Sequence, residues 1–238
     1  MKKLALTMAL GLSLSACAGL NGGTSTGNTN QNGLVTNYAI EAAMLNIYTK
    51  PRTQQLMAIV DNQNLSADIT VTPKGSMQFN NKQLLGAEVN TINKVNNQVT
   101  NQSVSINYFT LNPLVFHGYT DSSGKYSVST QTTTIPKLAK VGTSSPLITE
   151  NVYSDSSKRS LIGRYSQSWS LVQASNNTAW FCINSSDNAL VAVDPNGTAS
   201  ECYKINARGD ILDSKLTIKL PATNGIKRLN LPVDNGFA

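Results

Sequence analysis

Several residue types on which enzyme chemistry depends are scarce in this sequence. Its 238 residues include one histidine, His117, so a metal site built from several histidines is excluded. A Ser-His-Asp triad would have to use that same residue, and no Gly-x-Ser-x-Gly turn accompanies it. Charged residues make up only 13% of the chain and form no basic stripe with interleaved aromatic residues. This composition excludes a typical nucleic-acid-binding surface.

The acidic residues supply no recognisable catalytic pair. Two carboxylates can act together on a glycosidic bond, but the candidates lie far apart and nothing in their spacing singles out a pair. They are Glu41, Glu88, Glu150, Asp187 and Glu201. A phosphate-binding Gly-x-x-x-x-Gly-Lys-Ser/Thr loop is also missing. The sequence therefore predicts a protein that is not an enzyme and carries no metal or cofactor.

Residues 1–16 have the organisation of a secretory signal. Lys2 and Lys3 precede an uncharged, mostly apolar run, Leu4 to Leu14, and small residues follow. The run is too short to span a bilayer, which takes about 20 residues, and no later apolar stretch reaches that length. These residues predict export rather than a membrane-spanning helix.

The segment Leu14-Ser15-Ala16-Cys17 resembles the lipobox of bacterial lipoproteins. The resemblance implies cleavage before Cys17 and lipid on its side chain. Ala18 stands where an aspartate would indicate retention in the inner membrane, so the implied destination is the outer membrane. An ordinary signal peptide, cut near Ala16, is the alternative.

The rest of the chain divides into a tether and one domain. Residues 17–33 have no charge and almost no apolar side chains, so they favour a flexible tether with an r.m.s. span of about 20–25 Å. Residues 34–238 are enough for a single globular domain. Without residues 1–16 the chain keeps a mild net charge of +4 (17 basic and 13 acidic residues).

Apolar spacing predicts one N-terminal helix over Leu34–Thr49, capped by Thr36 or Asn37. Lys50 precedes Pro51, which disfavours continuation of the helix. For residues 51–61 two interpretations stay open: a strand at Leu56–Val60 that turns back at Asp61–Asn64, or a second helix that starts at Pro51.

From Leu65 onward, alternating apolar residues predict many short strands joined by Gly-, Asn- and Asp-rich turns. The predicted strands are 65–72, 103–111, 114–119, 125–130, 148–153, 161–172, 178–183, 189–193, 200–206 and 211–220. The clearest turns are 121–124, 155–158, 194–197 and 207–210. The pattern predicts a mainly β fold, an antiparallel sandwich or barrel-like domain with one N-terminal helix.

The two cysteines that the lipobox does not use predict a disulfide. Cys182 and Cys202 lie in two strand-like segments separated by a turn, and an exported protein reaches a compartment that permits disulfides. Neighbouring antiparallel strands would bring the two residues within bonding distance.

An aromatic segment provides the candidate ligand site. At a period of two, Tyr165, Gln167, Trp169 and Leu171 share one face of a strand. The simpler interpretation places Trp169 in the core of a half-buried strand. In the other, Tyr165, Gln167 and Trp169 line a groove for a glycan or peptide.

Three functions fit these features. The first is a non-enzymatic binding or assembly module of the cell envelope, anchored in the outer membrane through Cys17, with another envelope protein or a glycan as its partner. The second is a carrier of a lipid or other apolar ligand, since antiparallel sheets can enclose a cavity. The third, disfavoured by the lack of an identifiable acid–base pair, is a cell-wall or glycan hydrolase.

Overall fold

A computed structural model describes residues 33–60, 63–131, 133–186, 198–222 and 225–234. Cys17, the signal, the predicted tether up to residue 32, the predicted strand 189–193 and the predicted turn 194–197 lie outside these ranges. In the described part of the chain no helix is long and apolar enough to cross a membrane.

The described residues form one helix and fourteen strands. The helix is α1 (Ile40–Thr49). The strands are β1 (Asn37–Tyr38), β2 (Arg52–Val60), β3 (Gln63–Phe79), β4 (Lys82–Val95), β5 (Gln98–Thr110), β6 (Val115–Asp121), β7 (Tyr126–Gln131), β8 (Ala139–Lys140), β9 (Ser144–Tyr153), β10 (Leu161–Ser175), β11 (Thr178–Ser186), β12 (Thr198–Asn206), β13 (Ile211–Ala222) and β14 (Gly225–Asp234).

Twelve of these strands form an antiparallel barrel. The strands from β2 to β7 follow one another, β9 pairs with β7, and the succession continues to β14, which closes the ring on β2. Strand pairing is shortest at two places in the ring: β14 and β2 share two residue pairs, and β6 and β7 share one. The predicted fold class, mainly β and barrel-like with one N-terminal helix, is confirmed.

Within the segment 51–61, the residues Arg52–Val60 form a strand. β2 pairs with β3 without interruption from Arg52 opposite Val71 to Val60 opposite Gln63. The alternative of a second helix starting at Pro51 is therefore wrong, because this pairing uses the backbone groups that a helix would need.

The helix is shorter than predicted. It starts at Ile40 rather than Leu34, its N-cap is Ala39, and no side chain caps it, so the predicted caps Thr36 and Asn37 are wrong. The preceding residues are held extended because the Thr36 carbonyl accepts a hydrogen bond from Val141 N and the Ala39 amide donates to Ala207 O. The predicted end is confirmed: Thr49 is the last helical residue and Lys50 is extended.

The helix fills one end of the barrel. Its buried side chains are Ile40, Ala43, Met44 and Ile47. They belong to one core cluster with residues from strands all round the ring, among them Val71, Phe109, Phe181 and Ile205. Since strands on opposite sides can meet only inside the barrel, this cluster marks the inner face of the strands that contribute to it, and pairing in register extends the assignment to their neighbours. Alternation along each strand then assigns the other side chains to the inside or outside.

The predicted disulfide is present. Cys182 of β11 lies directly opposite Cys202 of β12, with the Cα atoms 3.9 Å apart. Both cysteines alternate with inward-facing Phe181 and Tyr203, so the bond lies on the outer face of the barrel.

Removal of this disulfide should lower the stability of the barrel. By the chain-entropy estimate, a loop of about 20 residues contributes around 3 kcal/mol to the free energy of unfolding. Denaturant titration of the Cys182→Ala/Cys202→Ala double variant should show that loss. A loss below about 0.5 kcal/mol, or two reactive thiols in the unreduced wild type, would show that the bond does not constrain the chain.

Candidate functional site

Below α1 the inner face of the barrel becomes polar on the side of β7, β9 and β10. Glu150 of β9 lies opposite Tyr165 of β10 on one side and Ser129 of β7 on the other. The Ser129 hydroxyl donates a hydrogen bond of 2.6 Å to Glu150 Oε1. Because residues paired in register share a face, all three side chains point into the barrel.

The carboxyl and phenol groups on this wall influence one another. Burial raises the pKa of Glu150, and the hydrogen bond from Ser129 opposes that rise. Burial also raises the pKa of the Tyr119 hydroxyl, to which the negative charge of Glu150 and the nearby Tyr165 add. Tyr119 of β6 lies opposite Asn107, which shares the inner face of β5 with Phe109, so the Tyr119 side chain also faces inward. Its hydroxyl stays protonated at neutral pH.

The opposite wall carries a second polar group on β2 and β12. The Arg52 guanidinium donates to Gln54 Oε1 at 2.7 Å and to the Tyr203 hydroxyl at 2.9 Å. The Tyr203 hydroxyl donates in turn to Glu201 Oε1. Arg52 and Glu201 also form an ion pair at 3.9 Å.

Arg52 and Gln54 lie where the pairing between β14 and β2 is short. Strand β14 pairs with β2 only at Gln55 and Leu56, so the first residues of β2 have no backbone partner on that side among the described residues. Their side chains make the connection instead. Buried Gln54 is 3.5 Å from the Ser214 hydroxyl of β13, and Arg52 reaches Tyr203 on β12.

Tyr48, near the end of α1, lies between the two walls. Its ring contacts Phe116 edge-on, with centroids 5.0 Å apart. Burial raises the pKa of its hydroxyl, and the charges of Glu201 and Glu150 raise it further, partly offset by Arg52. The charges of two carboxyls from different walls thus act on this one phenol.

Water reaches this space. The Glu201 side chain faces inward yet is 30% exposed. Half-buried side chains around it are those of Tyr48, Arg52, Tyr119, Glu150 and Tyr165. We call this region the polar chamber and define it by Tyr48, Arg52, Tyr119, Glu150, Tyr165 and Glu201. Carboxyl, guanidinium and phenol groups around a wet space can hydrogen-bond the hydroxyl or amide groups of a ligand.

The predicted groove residues lie on this inner face. The pairing of β10 is continuous with β9 from Arg164 to Gln167 and with β11 from Ser166 to Val172, so Tyr165, Gln167 and Trp169 do share a face. Trp169 is 2% exposed and packs in the core, as the simpler interpretation expected. Tyr165 and Gln167 are half-buried, and their role in binding stays a prediction.

The remaining candidates do not join the chamber. His117 is 3.4 Å from the Thr110 hydroxyl, and burial lowers its pKa. Glu88 forms a 2.9 Å ion pair with Lys74 on the outside of the barrel. Asp187 lies outside the described residues. Within the described ranges no cluster of His, Cys, Asp and Glu could hold a metal ion.

Sequence reasoning missed Tyr48, Arg52 and Tyr119, and it could not pair Glu150 with Glu201. A partial signal exists for Glu150, which falls at an inward position of the predicted strand 148–153. Comparison with known protein families, curated proteins and solved structures finds no match for this chain.

Proposed function

We propose that this chain is a non-enzymatic lipoprotein of the outer membrane that binds a polar partner, a glycan or an extended peptide, in the polar chamber. The observation that carries the proposal is the placement of five polar side chains on facing walls of a solvent-accessible space, with Tyr48 of α1 between them. A barrel that only needed a core would be expected to fill this space with apolar residues.

The lipid anchor is supported by the lipobox at residues 14–17 and by the disulfide. Disulfides persist in oxidising compartments, which agrees with export of the chain. The charge-free tether gives the barrel room to stand off from the bilayer surface.

The chamber supports a polar ligand over the apolar ligand of a lipid carrier. In the described structure the apolar part of the interior is occupied by α1, whose buried residues pack against Phe109, Leu171 and Phe181. Below the helix, charged and hydroxyl groups lie on two walls, beside a small apolar cluster of Leu56 and Leu216.

Binding is tested with the mature chain carrying Cys17→Ser and soluble glycan and peptide fragments of the envelope, followed by calorimetry. Loss of a hydrogen bond to a charged group corresponds to about a tenfold loss of affinity. Glu150→Gln should weaken binding by that factor. The matched control Glu88→Gln, on the outer face, should not. Equal effects of the two variants, or no binding of any fragment, would contradict the proposal.

Glycan hydrolysis is the second candidate, because Glu150 and Glu201 face one chamber and the raised pKa of Glu150 suits a general acid. The contacts of Glu201 disfavour this candidate, because its carboxylate is already engaged in an ion pair with Arg52 and a hydrogen bond from Tyr203. Product analysis of the same fragments separates the two candidates. Turnover that Glu150→Gln abolishes would establish the hydrolase, and binding without turnover supports the proposal.

Replacement of the lipidated cysteine provides a test of the anchor. Cys17→Ser removes the atom that would carry the lipid, so the protein should be released to the soluble fraction or accumulate with its signal uncut. Membrane fractionation with immunoblotting checks this. A variant that remains membrane-bound to the same extent as the wild type would refute the anchor.

A further inference from the structure

A second concave site lies on the outside of the barrel, away from the polar chamber. The hairpin between β3 and β4, with Asn80 and Asn81 at its tip, forms one side. The turn between β9 and β10, which carries Ser156 and Lys158, forms the other. The space between them has a volume of about 470 Å³, within the size range of small-molecule sites.

The floor of this outer cavity is aromatic. Phe79 stacks between Tyr108 and Tyr126, with ring centroids 4.2 and 4.8 Å apart and nearly parallel planes. Gly118 lies beneath Phe79 and has a positive φ of 139°, and a Cβ there would lie 3.1 Å from the Phe79 ring and 2.0 Å from Ser127 O. The absence of a side chain at Gly118 therefore lets the hairpin tip lie over β6.

In the part of the chain that the structure describes, the rim is polar and carries one positive charge. Lys158 Nζ donates to the Asn80 amide oxygen at 2.8 Å and lies 5.8 Å from the Tyr126 ring centroid. Among the described residues Lys158 takes part in no ion pair. The remaining rim groups are amides and hydroxyls, including Gln78, Asn81, Thr120 and Ser156.

The carboxylates nearest in sequence are committed to their own turns. Asp155 accepts from the Ser157 amide at 2.8 Å. Asp121 accepts from the Ser123 amide and hydroxyl. Of the residues that the structure describes, no carboxylate lines the cavity itself, so the charge of Lys158 favours an anionic ligand over a cationic one.

We propose that this outer cavity binds an acidic sugar, a pyranose ring with a carboxylate, either free or as a unit of a polysaccharide. Phe79, Tyr108 and Tyr126 close the base of the cavity, but they are only 4%, 5% and 9% exposed, so recognition falls to the rim. The amides and hydroxyls of the rim suit the hydroxyl groups of the sugar, and Lys158 suits the carboxylate. This site would hold the protein on an acidic glycan independently of the polar chamber.

The test uses the mature chain carrying Cys17→Ser, with glucuronate as the probe, and saturation-transfer NMR and calorimetry as readouts. Glucuronate should bind more tightly than glucose, and glucosamine should bind least. Lys158→Met should weaken glucuronate binding about fivefold, the scale of one partly exposed ionic contact. The matched control Lys140→Met removes an exposed charge on β8, outside the cavity, and should leave binding unchanged.

Three outcomes would overturn this proposal. The first is no saturation transfer to glucuronate. The second is an equal effect of Lys158→Met and Lys140→Met. The third is displacement of glucuronate by an equal concentration of sulfate, which would reduce the cavity to a site for simple anions. A chain-length series of polyglucuronate then distinguishes a free sugar from a polysaccharide unit, since only the latter gains affinity with length.

Discussion

Replacing Trp169 with alanine is expected to lower the free energy of unfolding by about 3–5 kcal/mol. The side chain is 2% exposed and packs near Phe181, with ring centroids 6.3 Å apart. Deletion of so large a buried group loses its transfer free energy and leaves a cavity, since the surrounding β-strands can collapse only partly. Urea denaturation followed by circular dichroism measures the change.

The other tryptophan provides a matched control. Trp180 lies on the outer face of β11, where the Lys215 ammonium sits 4.1 Å from its ring centroid. Trp180→Ala should cost only about 1 kcal/mol, because it removes a partly exposed ring and one cation–π contact. Similar losses for the two variants would contradict the assignment of inner and outer faces on which the chamber depends.

Replacing Gly209 with alanine is expected to destabilise the barrel by about 3 kcal/mol. Gly209 has a φ of 83°, a conformation that alanine adopts with strain. A Cβ would also lie 2.4 Å from Ala39 O and 2.8 Å from Ala43 N, the backbone at the start of α1. The helix would have to shift, so thermal unfolding should begin at a clearly lower temperature.

Substitution of Gly142 distinguishes backbone strain from the steric contact of the added Cβ. Gly142 has a nearly equal φ of 87°, but a Cβ there would meet nothing within 4 Å. Gly142→Ala should therefore show the backbone strain alone, about 1 kcal/mol. If Gly209→Ala were no more destabilising than Gly142→Ala, the close packing of the helix against the turn between β12 and β13 would be wrong.

Local chemistry explains which strands could be predicted from the sequence. β10 and β13 show clear apolar alternation, and turn residues bound them. β4 was missed because Gly86, Glu88 and several asparagines interrupt its pattern. It is a strand because of its partners: Leu85 lies opposite Phe109 and Val89 opposite Val71, contacts that join the core.

The polar chamber could not be predicted for a different reason. Its contacts join residues far apart in the chain, such as Arg52 and Tyr203, which are 151 residues apart. Their proximity depends on the closure of β14 onto β2, and no local pattern encodes that pairing. The shared face of Tyr165 and Gln167 could be predicted, because alternation within one strand assigns both side chains to the same side. The residues of the wall on β2 and β12 could be identified only from the structure.

Photo-crosslinking in the native envelope tests the binding role of the chamber most directly. A photoreactive residue is placed at Tyr165, inside the barrel, or at Val172, which is 54% exposed on the outer face of the same strand. The lipidated full-length chain is irradiated in intact cells, and adducts are identified by mass spectrometry. We expect a discrete glycan or peptide adduct from position 165 that is absent from position 172. Adducts from position 172 alone would contradict the account.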